Sequence, residues 1–172
     1  MDDRQIDVLI SEEELGKRIK EIAQEIESDF GGGDLVVVGV LKGSFIFMAD
    51  LVRSIKRPLS CDFIRISSYE NDVSTGMVRM EFDMTQPVKD KNVLLVEDIV
   101  DSGRTLRYLL EHMKNKGANK LKVASLLFKE MGTDSKKLVD YIGFEVPERY
   151  VIGYGLDSEG VYRSLPYVGA FK

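Results

Sequence analysis

The sequence predicts an α/β fold built on a central, mostly parallel sheet flanked by helices. First, Leu35–Leu41 and the stretch Val93-Leu94-Leu95-Val96 are unbroken apolar runs rich in β-branched residues, the pattern of strands buried on both faces. Second, each run passes through a turn of small residues into a helix-period segment. Lys42-Gly43-Ser44 leads into the largely apolar stretch 45–55, and Asp101-Ser102-Gly103-Arg104-Thr105 leads into a run with Leu106, Leu109, Leu110 and Met113 at helical spacing. Third, 172 residues with 44% hydrophobic content suit one packed domain spanning 1–172, and no second domain is expected.

The remaining elements follow in order. Ser11-Glu12-Glu13-Glu14 is a capping-box candidate opening a helix whose Leu15, Ile19, Ile22 and Ile26 share a face, with charge on the other face. Phe30-Gly31-Gly32-Gly33-Asp34 breaks that helix. Pro58 closes the next helical region, and Cys61-Asp62-Phe63-Ile64-Arg65-Ile66 alternates as a strand exposed on one side. Residues 67–76 have almost no apolar content and are too long for an ordinary connection, so they read as a disordered segment or a functional lid. With a short hairpin arm over 77–84, the mobile region runs from about residue 67 to 90. Lys116-Gly117 stops the central helix, and His112, the only histidine, is expected on its surface. Residues 121–128 form a strand ending at Lys129, 140–144 a short strand, and Pro147 a turn; Pro166 and the tail read as an edge element.

Composition excludes several classes. The net charge is -5, so nothing global suggests a nucleic-acid or membrane surface. Lys114, Lys116, Lys120 and Lys122 form a modest basic cluster, which keeps a nucleic-acid-binding regulator as the competing class. Cys61 is the only cysteine; it cannot form an internal disulfide and is expected to be a buried thiol in a reducing compartment. The first ten residues are too short of hydrophobic length for a secretory signal, and no run reaches about 18 apolar residues, so a cytoplasmic location is expected.

The chemistry concentrates where strands meet turns, because ligands of open α/β sheets bind at the carboxyl edge. The strand beginning at Val93 is expected to end abruptly at Glu97-Asp98, which can accept hydrogen bonds from vicinal hydroxyls. Ser102 and Thr105 offer hydroxyl donors, Gly103 permits close backbone approach, and the helix start favours an anion. Asp101 can accept a helix-start N–H as a cap. Lys42 and Gly43 either hold a pyrophosphate or simply make a turn with a solvated lysine. Lys129 lies on the same rim, as solvated charge or as a ligand donor. The aromatics of Tyr150-Val151-Ile152-Gly153-Tyr154-Gly155-Leu156-Asp157 read, by themselves, as core.

Glu97, Asp98 and the run Asp101-Ser102-Gly103-Arg104-Thr105 together resemble the signature of type I phosphoribosyltransferases. The resemblance implies that fold with a flexible hood, two acidic residues on ribose hydroxyls, and a loop from Asp101 through Thr105 that cups the 5-phosphate of phosphoribosyl pyrophosphate. Gly39-Val40-Leu41-Lys42-Gly43-Ser44 is similar to the pyrophosphate loop of the hypoxanthine-guanine members, which implies that Leu41, Lys42 and Gly43 meet pyrophosphate and that the peptide before the lysine is cis. Ser68-Tyr69 matches a hood pair that closes over the reaction centre and excludes water. By the same resemblance Lys129 donates to the C6 oxygen of a 6-oxopurine, Tyr150 stacks on the base and the backbone of Val151 reads its edge. Asp157 orders a magnesium-bound water, and Arg163 meets pyrophosphate.

The resemblance also implies that Asp101 is the general acid/base near purine N7. Glu97, Asp98 and Asp157 become the carboxylates serving Mg2+, a cation that prefers oxygen ligands. Glu130 and Ser158-Glu159-Gly160 depart from the usual residues at their positions. The resemblance runs from about Ile6 to Gly169, with four motifs in the family's order. It implies 6-oxopurine phosphoribosyl transfer with phosphoribosyl pyrophosphate and a purine base as partners, no nucleic acid, no membrane, and a homodimer or homotetramer. The same fold acting on xanthine, adenine or a pyrimidine is the alternative within the class.

Overall fold

The structure is a computed structural model that describes residues 5–68, 78–129 and 134–172. In chain order the elements are β1 (Ile6–Ile10), α1 (Glu12–Phe30), β2 (Leu35–Leu41), α2 (Phe45–Ser54), β3 (Ser60–Ser68), β4 (Val78–Phe82) and β5 (Asn92–Val100). There follow α3 (Arg104–Asn115), β6 (Leu121–Lys129), a 3-10 turn (Asp134–Leu138), β7 (Tyr141–Val146), β8 (Val151–Ile152) and β9 (Val168–Phe171). The main sheet has the order β4-β3-β2-β5-β6-β7, parallel from β3 to β7 with β4 antiparallel at one edge.

The uninterrupted apolar runs have the cause expected of them, since helices cover both faces of the sheet. Val37, Leu94, Val96, Ala124 and Leu126 point to one side and pack with Ile19, Ile22 and Ile26 of α1 and Phe47 and Leu51 of α2. Val36, Val38, Val93, Leu95 and Val123 point to the other and pack with Leu106, Leu109 and Met113 of α3. Successive residues of β2 and β5 thus alternate between two cores, and neither strand has a solvent face to mark with a polar residue.

The capping box forms as expected. The Glu14 carboxylate accepts the Ser11 backbone N–H at 2.8 Å, and the Ser11 hydroxyl accepts the Glu14 N–H at 3.3 Å. α1 then buries Leu15, Ile19, Ile22 and Ile26 on one stripe and ends at Gly31.

Several expectations change. β5 does not stop at the acidic pair: Glu97 pairs with Ser125, and the ladder runs on to Val100 opposite Phe128. β6 lies alongside that far, so continuing the strand satisfies backbone groups that a turn would leave open. β1 was not anticipated, and its only strand partner among the described residues is β9 from the far end of the chain; these two and β8 make a small antiparallel sheet. The expected hairpin arm over 77–84 is β4 laid along the end of β3, with Ser67 opposite Arg79. Cys61 is exposed rather than buried, because β4 pairs with β3 only from Arg65 onward and leaves that part of β3 uncovered. His112 lies at the surface but half-buried, 3.1 Å from an Asp83 carboxylate that also meets Lys116 at 2.8 Å. Most of the expected lid, including Tyr69, and Glu130 lie outside the described residues. Among the described residues no helix is long and apolar enough to cross a membrane.

Replacing Ser11 by Ala removes one half of the capping box and is expected to lower stability by about 1 kcal/mol. A shift of the urea midpoint to lower concentration, at constant slope, checks it; an unchanged midpoint would show that the apolar stripe alone sets the helix start.

Candidate active site

Parallel strands deliver their carboxyl ends to one edge, and that edge brings the sequence-predicted turns together. Val100 pairs with Phe128, so Asp101 follows β5 at the same carboxyl edge where β6 ends at Lys129, itself paired with Val146 of β7. β2 lies on the other side of β5, and its turn meets the same strand. The Asp98 carboxylate occupies the space that a side chain on residue 43 would need. Gly43 is therefore required by close approach, and the turn after β2 is locked to the acidic strand. The Leu41–Lys42 peptide in this turn is cis, as the resemblance implied. Ser44 is buried and its hydroxyl donates to the Val40 carbonyl at 2.6 Å, while Lys42 is exposed.

A cleft of about 230 Å³ opens beside this contact. Its walls are Val40, Ile66 and Ser67 from the flanking strands and the continuous run from Glu97 to Leu106. Asp101, Ser102 and Arg104 are exposed, and Thr105 is half-buried. α3 opens at Arg104 with Gly103 as its N-cap, in the left-handed region at φ 72°. The capping position therefore falls two residues beyond Asp101, and a glycine there leaves the first-turn N–H groups without a side-chain cap. Hydroxyls, free N–H groups and the positive end of the helix dipole around one cleft suit a phosphate.

Sequence reasoning missed one residue of this site. Ser135, on the 3-10 turn, is fully buried and donates its hydroxyl to the Asp101 carbonyl at 3.0 Å. A Cβ on Gly103 would lie 2.8 Å from the Ser135 Cβ. The 3-10 turn thus backs the phosphate-type loop, and no local motif marks Ser135, because the contact exists only once β6 has been crossed.

The acidic pair is electrostatically strained. Glu97 is 5% exposed, and burial, reinforced by the adjacent Asp98 charge, pushes its pKa well above the ordinary carboxylate range. Asp98, half-buried on the cleft wall, is pushed up to about 6 by burial; the Ile99 and Asp98 N–H groups and Arg163 oppose the shift, and Asp157 adds to it. Arg163 and Asp157 thus share the electrostatic surroundings of Asp98, and they pair with each other at 2.6 Å. Asp157 also accepts the Gly160 N–H at 2.7 Å, so the departing Ser158-Glu159-Gly160 sequence folds back onto that carboxylate. Tyr150 is 61% exposed with its hydroxyl donating to the Asp157 carbonyl at 2.8 Å, and Val151 is buried in β8.

Among the described residues no three His, Cys, Asp or Glu side chains gather as a ready-made cation cage. Glu97 and Asp98 do supply an oxygen-only donor set that burial makes hungry for positive charge. Such a set suits a hard cation that keeps waters and phosphate oxygens in its shell. Among the described residues Lys116 meets Asp83, Lys122 meets Asp29 at 2.7 Å, and Lys120 donates to the Asp29 carbonyl. Lys129 is half-buried at the rim. The side chain of Ser68 lies outside the described residues.

A model of the phosphoribosyl transferase domain matches residues 7–159. The chain belongs to the phosphoribosyl transferase family. This phosphoribosyl transferase is 44% identical over 166 residues to the hypoxanthine-guanine phosphoribosyltransferase of Bacillus subtilis (strain 168), covering 96% of this chain and 92% of the relative. It is 43% identical over 171 residues to the enzyme of the same name from Dictyostelium discoideum, covering 96% and 95%. The crystal structure of a hypoxanthine-guanine phosphoribosyltransferase from Bacillus anthracis superposes with a TM-score of 0.91 at 43% identity, covering 98% of this chain and 99% of that one.

The shifted Asp98 has a consequence for stability. Its carboxyl titrates near 6 when folded and near 3.8 otherwise, so the native state holds the extra proton between those values. Stability from this group is full below about pH 4 and is lost as pH rises through about 6. Asp98→Asn should therefore stabilise the unliganded protein at pH 7.5 by up to about 3 kcal/mol, with the gain shrinking toward pH 4. Thermal melts across that range check it, and a lower melting temperature at pH 7.5 would refute it.

Proposed function

We propose that this phosphoribosyl transferase performs purine salvage. It transfers the 5-phosphoribosyl group from phosphoribosyl pyrophosphate to N9 of hypoxanthine or guanine, giving IMP or GMP and pyrophosphate. The observation that carries the reading is the meeting of the turns at one sheet edge, with Asp98 against Gly43 and with Asp101 and Lys129 each one residue past the Val100–Phe128 pair. The relatives named hypoxanthine-guanine phosphoribosyltransferase narrow the substrate class.

In this proposal Ser102, Gly103, Arg104 and Thr105 hold the 5-phosphate, which fixes the sugar over the acidic pair. Glu97 and Asp98 accept from the ribose hydroxyls, and Leu41, Lys42, Gly43 and Arg163 receive the pyrophosphate. As the bond to pyrophosphate lengthens, the sugar carbon gains oxocarbenium character, and the buried carboxylates favour that positive charge. Glu97 and Asp98, with Asp157 nearby, would hold a Mg2+ ion arriving with the substrate, which would supply charge neutralisation for the leaving pyrophosphate. Asp101 accepts the proton from purine N7 as N9 bonds to the sugar carbon and the bond to pyrophosphate breaks. Lys129 donates to the C6 oxygen; an ammonium can donate but cannot accept from an amino group, so adenine is disfavoured. Tyr150 covers the base and the Val151 backbone reads its edge, while Ser68 and Tyr69 close the site against water. A cytoplasmic homodimer or homotetramer with no nucleic-acid or membrane partner completes the proposal.

Magnesium-dependent pyrophosphate release, measured with each nucleobase in turn, tests the reading; release with hypoxanthine and guanine is expected, and release with neither overturns it. Asp101→Asn should lower turnover by roughly two to four orders of magnitude. Near-normal turnover would remove Asp101 from proton transfer. Lys129→Ala should lose its effect chiefly in purine use, so competition between hypoxanthine and adenine should become less one-sided, and an unaltered ratio would refute the pocket assignment.

A further inference from the structure

We propose that Tyr154 and Asp50 form a positioning clamp that sets the separation between the pyrophosphate turn and the loop bearing Asp157 and Arg163. The inference rests on the proposed function for the identity of the ligand held between those two segments.

The two segments come from distant parts of the chain, and two contacts between them bear on the ligand residues. At the first, the Gly43 carbonyl lies where a side chain on Gly155 would project, so backbone meets backbone. At the second, the Tyr154 hydroxyl donates to the Asp50 carboxylate on α2. α2 begins directly after Lys42-Gly43-Ser44, so a bond to its second turn governs where that turn sits. On the other side, Gly155 is tied to the proposed ligand residues: its carbonyl accepts from Arg163 Nη1 at 2.6 Å, and its N–H donates to the Arg163 carbonyl at 2.9 Å.

Tyr154 itself is held in an unusual state. It is buried, it is not glycine, and its φ is 50°, in the left-handed region that side chains rarely adopt. Such a conformation persists only where the surroundings over-determine it. Here the Tyr154 N–H donates to the Leu165 carbonyl at 2.9 Å, and the side chain is anchored at its tip on α2. The Val151 backbone is held separately, since it pairs with Ala170 of β9, and Tyr150 joins the loop only at its tip, where its hydroxyl donates to the Asp157 carbonyl. Loosening Tyr154 should therefore disturb the pyrophosphate side of the site and spare the purine side.

The test uses Tyr154→Phe, Asp50→Ala, Asp50→Asn and the double variant Tyr154→Phe/Asp50→Ala. The readouts are KM for each substrate, the Kd of magnesium pyrophosphate by calorimetry, and the melting temperature. Tyr154→Phe should raise KM for phosphoribosyl pyrophosphate and the pyrophosphate Kd by roughly fivefold, the scale of one hydrogen bond, with KM for hypoxanthine changed by less than about twofold. Asp50→Ala should match it, and the double variant should be no worse than either alone. Asp50→Asn keeps an acceptor oxygen and should stay near wild type.

An unchanged pyrophosphate Kd in Tyr154→Phe, a parallel rise in both KM values, or an Asp50→Asn variant as impaired as Asp50→Ala overturns the clamp. Should Tyr154→Phe not fold, the contrast between Asp50→Ala and Asp50→Asn decides the matter alone. Wild-type protein that binds pyrophosphate but turns over no nucleobase sinks the proposed function and leaves the clamp to the Kd comparison. Wild-type protein that does not bind pyrophosphate sinks both.

Discussion

Asp98 stands in the last third of β5 with its carboxylate in the space that any side chain on Gly43 would fill. That contact depends on the register of β2 against β5, in which Gly39 lies opposite Val96. A slip of one residue would turn every side chain of the strand to the other face. The slip would therefore carry the Asp98 carboxylate away from Gly43 to the opposite face of the sheet, which helices also cover. Strand register, core packing and site geometry are thus one constraint seen at three scales.

The position of Glu97 and Asp98 inside the ladder explains their electrostatics. A strand that ended before them would leave two solvated carboxylates with ordinary titration. Continued pairing with β6 through Val100 holds Glu97 in the sheet and Asp98 on the cleft wall, where charge is disfavoured until a partner arrives. The unliganded fold is accordingly less stable than its packing alone would make it. The same burial strengthens any interaction with ribose hydroxyls or a cation, because the surroundings screen it poorly.

The second half of the site hangs from the smaller sheet. β8 and β9 bring Val151 and the loop after it to the edge of the main sheet, and β1 closes the far side of β9. The loop is compact, with bridges between Gly153 and Leu156 and between Ser158 and Val161, and with left-handed backbone at Tyr154, Glu159 and Tyr162. Hydrogen bonds from Arg163 and Gly160 tie it to itself, and Tyr154 ties it to α2. Asp157 and Arg163 are therefore carried by a cross-braced loop, whereas Val151 sits in β8.

Much of this was legible in the sequence for a physical reason. Doubly buried strands must be uniformly apolar, so Leu35–Leu41 and the run from Val93 announced themselves, and the capping box at Ser11 is a local device whose partners lie three residues apart. The turns at Lys42 and Asp101 were equally visible, because close backbone approach needs small residues there. Other features depended on partners distant in the chain. The length of β5 was decided by β6, the existence of β1 by β9, the exposure of Cys61 by where β4 begins to pair, and the role of Ser135 by the crossing of a 3-10 turn behind Gly103. Local pattern determines which segments can be strands, helices and tight turns; only tertiary contact decides how far each runs and which side chain stands behind another.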